Sequence, residues 1–583
     1  MISTIEGVNL NKSSAALLSL DFFKAYDRVN LKYLEKVMKA MKFPVKFINW
    51  ILLLHKGATT CFLLNFTTAS IPITFSVRQG DPVAMCLYLI FIEPLLLRLH
   101  KECPGVILKG RLLENMKAPL VEGVEEELEG YVDDVEALCS SDNDFLIIDR
   151  IVGEFESVSG AILNRSTKSV VLGLGGWKNR SIWPLRWLKT VDKIKVFGFF
   201  LHNDYKVIIE ENWSYQLSKF SSTLFSWSSR VVDSLLQRAE IISLFALSKV
   251  WYRAQVLPLP NKFALKFEKQ ISEYLWKGQI TRNVLSKDTV CLPKGKGGLA
   301  LPHLRLKCRS LFVKQIFRNI FGRGNGKNHV DFWLGERLGI PGLGSQFFHL
   351  KGRPGAETDA TPDLFKYTLK CVNDLLEGGT VSLTEIQDIT TKQLYLIAID
   401  VLPAPVIVER HPDRDWRLTW ERLHHGSLTP QSRSFLYLIV HERVGTRERG
   451  NRLMPGRFPS PLCPNCSAHP ETIGHRYIWC DHVNQTWEWL RNILNVLDPS
   501  LVLHDDKDIL KLDFSKGMRE NAILWLVGIY ITLVEREAVL KHHILDYNSS
   551  KGYFKQMKQM ATHMAIPDLG TIPGIDWEPQ GVG

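Results

Sequence analysis

Asp21, Asp133 and Asp134 carry the clearest chemistry in this chain. A hard divalent cation such as magnesium keeps several waters and takes one or two carboxylates per site, plus phosphate oxygens of a substrate. Two such cations, held by two or three aspartates on neighbouring strands, suit nucleotidyl transfer, in which a hydroxyl is activated and charge on a triphosphate is neutralised. The spacing of the three acids meets that need. Asp21 closes the apolar run Ala15-Ala16-Leu17-Leu18-Ser19-Leu20, which reads as a buried strand with the acid at its C-terminal tip. Asp133 and Asp134 lie between Tyr131-Val132 and Val135-Glu136-Ala137-Leu138-Cys139, two strand-like pieces suited to a tight hairpin that would present both acids beside Asp21.

Four motifs surround these acids in a fixed order: Asp21-Phe22-Phe23-Lys24-Ala25-Tyr26-Asp27, Arg78-Gln79-Gly80-Asp81-Pro82, Tyr131-Val132-Asp133-Asp134, and Ser159-Gly160 followed by Asn164 and Lys168-Ser169. A lone Tyr-x-Asp-Asp is a weak signal, because any surface turn can supply two acids; four ordered matches are a strong one. The wording resembles the reverse transcriptase of LINE-type (non-LTR) retrotransposons. Ser76, Val83-Ala84-Met85 and Val132 depart from the family pattern, and none of them is a metal ligand. Past the motifs, Lys193 to Phe199 is similar to the primer-grip strand, and Ser248 to Pro260, Tyr274 to Gly278 and Gly297 to Pro302 are similar to the helical thumb.

The resemblance implies roles position by position. Asp21 and Asp133 would be the principal ligands of Mg2+ or Mn2+, with Asp134 a supporting acid. Tyr26 would pack under the incoming sugar and exclude a 2′ hydroxyl; the competing reading is a core aromatic behind the strand. Gln79 and Gly80 would lie against nucleotide and template, Gly80 allowing close backbone approach, and Arg78 would steady phosphates. Lys168 would give a proton to the departing pyrophosphate. Asp27 and Asp81 read better as caps of the following helices, with Pro82 opening the apolar stretch Val83 to Leu99. The resemblance also places a fingers subdomain and an endonuclease domain before the first motif. Only twenty residues precede Asp21, so both are expected to be missing and catalysis to suffer, since positioning is most of phosphoryl transfer.

A second constellation is Cys463-Pro464-Asn465-Cys466, then His475 and Cys480, the spacing C-x2-C-x8-H-x4-C. Three thiolates and one imidazole make the closed tetrahedral set preferred by structural zinc, with His469 and His482 as alternate imidazoles. It resembles the CCHC element of LINE-type proteins, placed after a basic, helix-like stretch from Leu436 to Met454. The other seven of ten cysteines are scattered singly, as expected for reduced thiols of an intracellular protein.

These anchors organise the chain as an α+β protein: a right-hand polymerase palm over 1–204, a helical thumb-like region over 205–350, a Pro- and Gly-rich linker over 351–363, and a mostly helical C-terminal region over 364–583 with the zinc element at 463–480. A helix is expected from Asn143 to Val158. At 583 residues and 45% hydrophobic, the chain can bury several cores, and its formal net charge of +11 favours an anionic partner. From Thr289 to Val330 there are nine Lys or Arg and no acid, with Phe312, Phe317 and Phe321 at helical spacing that serves either base stacking or a core. No apolar run reaches the roughly 18 residues needed to span a bilayer, and no secretory signal is evident. A nuclear or cytoplasmic location follows. The expected function is an RNA-directed DNA polymerase acting on RNA template, DNA primer and deoxynucleoside triphosphates; the alternative is a catalytically dead, retroelement-derived nucleic-acid-binding protein.

Overall fold

The computed structural model describes residues 1–55, 59–61, 69–72, 77, 81–103, 105–108, 124–126, 128–131, 134–165, 168–230, 232, 234–277, 284–321, 333, 362–377, 389–499, 506–514 and 520–540. Residues 351–361 of the expected linker (351–363), the stretch 322–330, Arg78, Gln79, Gly80 and Asp133 lie outside them, and Asp363, the linker's last residue, already begins a helix. The chain divides into two units, one of Met1–Tyr215, Arg253–Pro258 and Leu311–Thr390, the other of Gln216–Tyr252, Leu259–Ser310 and Thr391–Gly583.

The first unit is built on a five-stranded sheet. Its strands are β1 (Ser14–Asp21), β2 (Leu128–Tyr131), β3 (Asp134–Cys139), β4 (Val170–Gly175) and β5 (Lys189–Thr190), in the order β2-β3-β1-β4-β5. β1 is central and antiparallel to both neighbours, pairing Leu18 with Ala137 on one side and with Val171 on the other. Buried on both faces, it reads as a near-continuous apolar run. One face, carrying Ala16, Leu18, Leu20, Val135, Ala137 and Val171, shares a core with α2 (Leu31–Ala40), α3 (Ala84–Glu102) and α4 (Asp142–Ser159), joined by Ile48 and Ile51 of the helix Val45–His55. The opposite face, with buried Leu17, Leu172 and Leu174, is met by α1 (Ile2–Leu10), whose Ile5 and Val8 are fully buried.

The helix ends show why these elements stop where they do. α2 is capped by Asn30, whose side chain accepts from the amides of Lys32 and Tyr33, so the cap expected of Asp27 falls three residues later. Asp81 does accept from the Val83 amide at 3.0 Å ahead of α3. α4 begins in a capping box of Ser141 and Asp144 and ends at Gly160, whose φ of 78° is the left-handed conformation that closes a helix without strain. Beyond β5, β6 (Lys193–Val196) and β7 (Phe199–His202) form a hairpin turned by Phe197 and Gly198.

The second unit is helical among its described residues. α5 (Asn261–Leu275) precedes the basic stretch, much of which is carried by α6 (Leu304–Phe321, partly in the first unit). Phe312 and Phe317 of α6 are 2% and 1% exposed, which makes them core residues and leaves no room for base stacking. The basic stretch Leu436 to Met454 is two helices rather than one: α7 (Pro430–Val440) ends before Glu442, which adopts φ 55°, and α8 (Arg447–Leu453) restarts behind the Thr446 cap. α9 (Asp481–Leu497) and the apolar α10 (Glu520–Leu540) complete the core, α10 packing against α7 and α9. No helix among the described residues is long and apolar enough to cross a membrane.

Candidate active site and metal centre

Strand pairing brings two of the three acids together. Asp21, the last residue of β1, is the register partner of Asp134, the first residue of β3. Directly opposed residues of an antiparallel pair have Cα atoms about 4.5–5.5 Å apart. β2 and β3 pair with Tyr131 opposite Asp134, leaving Val132 and Asp133 as a two-residue connection. The hairpin thus lies against the tip of the central strand.

The fourth motif wraps this tip. After Gly160 the chain runs back beside Asp21: the Phe23 amide donates to the Ile162 carbonyl at 2.8 Å, and the Asn164 amide to the Asp21 carbonyl at 2.8 Å. The Asn164 side-chain amide donates to Asp21 Oδ2 at 3.3 Å, and Ser169 Oγ accepts from the Asp21 backbone N–H at 3.3 Å. Lys168 Nζ lies 3.6 Å from Asp21 Oδ1, with its side chain 66% exposed. An exposed pair of this kind is worth at most about 1 kcal/mol, so the ammonium can exchange Asp21 for a phosphate oxygen at little cost. Asn164 and Ser169 stand in the fourth motif, but no local signal gives them a role; their proximity to Asp21 across more than 140 residues is tertiary.

Tyr26 is half-buried against the core, its ring 5.0 Å from that of Tyr88 on α3. Its carbonyl accepts from the Val77 amide at 3.0 Å, which fixes the chain immediately before Arg78-Gln79-Gly80 to the same turn.

The second unit holds the other constellation. One ligand atom from each of Cys463, Cys466, His475 and Cys480 falls within 4.8 Å of all the others. Cys463 Sγ and Cys480 Sγ are 3.9 Å apart, and Cys466 Sγ and His475 Nε2 are 3.3 Å apart. A tetrahedron with Zn–S bonds of about 2.3 Å has S···S edges of roughly 3.8 Å, so this donor set fits zinc. The alternates point elsewhere: His482 Nε2 meets the Asn465 carbonyl at 2.9 Å, and the His469 ring stands 5.8 Å from that of His475. Burial, then the neighbouring Cys463, pushes the Cys480 thiol up to about 12, a penalty that coordination of the thiolate would relieve. Around the cluster, Glu471 accepts from the Arg447 amide at 2.6 Å and pairs with Arg476 at 3.2 Å, and Tyr530 donates to the Tyr477 carbonyl at 2.6 Å. The cysteine loop is thereby tied to α8 and α10.

Residues 1–200 match the reverse transcriptase (RNA-dependent DNA polymerase) family. Over 314 residues the chain is 27% identical to a Xenopus laevis protein described as "Transposon TX1 uncharacterized 149 kDa protein". Together the two similarities support a LINE-type reverse transcriptase in this part of the chain. The match to the transposon protein covers 53% of this chain and 23% of the relative, so the chain spans under a quarter of that protein. The reverse transcriptase domain implies a palm-type fold, and the mixed sheet-and-helix architecture of the first unit is of that kind. Both similarities favour a polymerase over a mere binding relic. Reverse transcriptase domains use divalent metals such as Mg2+, and the Cys3His cluster could hold a further ion.

Proposed function

We propose that the chain is an RNA-directed DNA polymerase of a LINE-type retrotransposon, extending a DNA primer on an RNA template. The observation that carries this reading is the register pairing of Asp21 with Asp134 inside the matched domain, with the Asn164–Lys168 segment folded over the same strand tip. Asp21, Asp133 and Asp134 would hold Mg2+ or Mn2+. When bound, these ions supply Lewis-acid activation of the 3′ hydroxyl and charge neutralisation on the triphosphate.

The protein's own groups do the rest. Asn164 fixes the rotamer of Asp21 through its hydrogen bond, the kind of outer contact that orients a metal-binding carboxylate. Lys168, beside Asp21 and exposed, is placed to hand its proton to the leaving pyrophosphate. Tyr26, braced by Tyr88, would stand as the gate against a 2′ hydroxyl, and Arg78, Gln79 and Gly80 would line the nucleotide, as the resemblance implies. The four-part division at 204, 350 and 363 into palm, thumb, linker and C-terminal region belongs to this proposal, as does an intracellular site of action in nucleus or cytoplasm. Cys463, Cys466, His475 and Cys480 would hold structural zinc.

Primer extension by the purified chain, with RNA template, DNA primer, deoxynucleotides and magnesium, tests the proposal. Elongated products support it. No product with either magnesium or manganese, from folded protein that still binds RNA, returns the chain to the binding-relic reading.

A further inference from the structure

Within the second unit a cavity of about 400 Å³ opens between the Val284–Thr289 segment, the Val406–Arg410 turn and α8. Arg410, Arg443, Arg449 and Arg452 line it, and no acidic residue does. Glu442, next to Arg443 in sequence, pairs with Lys511 at 2.8 Å and with Arg410 of the cavity itself at 3.5 Å, so Arg410 has a carboxylate partner. Among the described residues, Arg443, Arg449 and Arg452 have no carboxylate within 4.0 Å. Arg443 and Arg449 are half-buried. Burial first, then repulsion from the neighbouring arginines, lowers the pKa of both.

The floor adds no compensating charge. His441 is buried, stacked on Trp420 at 5.3 Å, and its Nε2 meets the Gly297 carbonyl at 3.0 Å; burial pulls its pKa down to about 4, so it is neutral. Gly297 has φ 83°, and a Cβ there would stand 2.7 Å from the Trp420 ring, so the floor is fixed in shape. The wall is rigid as well: α8 is capped by Thr446 and held through the Arg447 amide to Glu471. Three guanidinium groups held together with no ion pair among the described residues, beside a fourth that shares Glu442 with Lys511, constitute a site waiting for an anion, and guanidinium matches phosphate oxygens in pairs. Val284, Val406, Ile407 and Leu453 supply an apolar side and room beyond a single phosphate, which suits a sugar and base attached to it.

We propose that this pocket seats a backbone phosphate of a nucleic acid strand, a contact separate from the strand-tip site of the first unit. The inference rests on the polymerase reading for the identity of the strand. The test compares the full chain with two pocket variants, Arg443→Gln with Arg449→Gln and Arg410→Gln with Arg452→Gln. A control, Lys262→Gln with Arg417→Gln, removes the same charge from exposed positions of the same unit. Binding of fluorescent RNA and DNA is followed by anisotropy across a salt series, with thermal unfolding as a check on folding. Each pocket variant is expected to lose at least about tenfold in affinity and to lower the log–log salt slope by about two, while the control changes far less. Pocket variants that match the control overturn the inference; if such variants still extend a primer, the polymerase reading survives that loss. Stabilisation by inorganic pyrophosphate that the pocket variants lose and the control keeps, with strand binding unchanged in those variants, would make the pocket a small-anion site and overturn its assignment to nucleic acid.

Discussion

Asp21 and Asp134 stand opposite each other as the last residue of one strand and the first residue of the next, the final rung of the β1–β3 ladder. This places two acids at one end of the central strand pair of the sheet. Like charges directly opposite on paired strands are destabilising, and a divalent cation held there would offset that cost. The surrounding segment from Gly160 to Ser169 spends its hydrogen bonds on the Asp21 backbone and carboxylate, which makes the position of that carboxylate a property of the fold.

Asn164 should therefore matter without touching substrate. Asn164→Ala is expected to slow primer extension by about 10- to 100-fold and to raise the magnesium concentration needed for half-maximal rate, the range typical of lost outer contacts to metal ligands. An unchanged magnesium dependence would reduce Asn164 to a loop-shaping residue.

Tyr26 separates two readings by one substitution. Tyr26→Val removes a ring packed on Tyr88, at a stability cost on the order of 1 kcal/mol. If the ring is the gate, incorporation of ribonucleotides relative to deoxynucleotides rises by at least about tenfold. If it is core alone, thermal stability falls and the ratio of incorporation stays where it was.

The Cys3His cluster predicts one zinc per chain by elemental analysis. Cys466→Ser is expected to lower that content and to unfold the second unit at lower temperature, because Glu471, Arg476 and Tyr477 carry the loop's geometry into α8 and α10. Full metal content in Cys466→Ser would show that another residue closes the tetrahedron.

Glu6 gives a pH dependence to the first unit. Its carboxyl is 7% exposed and accepts from the Asp363 amide at 3.0 Å; burial, with help from the Asp363 carboxylate, pushes its pKa from 4.5 to about 8. Between those values the folded chain holds a proton that the unfolded chain releases, so stability falls as pH rises through that window. Glu6→Gln removes this loss. The variant should unfold at a temperature roughly 2–4 °C or more above the parent at pH 8 and close to it near pH 4.5, measured by calorimetry. Equal differences at both pH values would contradict the assignment.

Much of the palm was legible because its signals are local. The run Ala15 to Leu20 reads as a buried strand, and Val132–Asp133 stand in the sequence between short β-prone pieces. Helix α4 announces itself by Ser141 before and Gly160 after. The misses are tertiary or competitive. Asn30 takes the cap of α2 from Asp27 because the helix begins one turn later. The break at Glu442 is carried by a left-handed residue that is neither Gly nor Asn, so no turn signal marks it. Phe312 and Phe317 lie at a spacing that fits a stacking face as well as a core, and only packing decides between them. The arginine pocket draws on residues 410 and 443 to 452, which no window of sequence brings together.

The most direct test of the account is single-nucleotide primer extension on an RNA template by the parent chain and by Asp133→Ala with Asp134→Ala, at matched RNA binding and matched thermal stability. The account predicts magnesium-dependent extension by the parent and a loss of at least about 10³-fold in the double variant. Equal extension by both proteins, with magnesium still required, would place the chemistry elsewhere and contradict it.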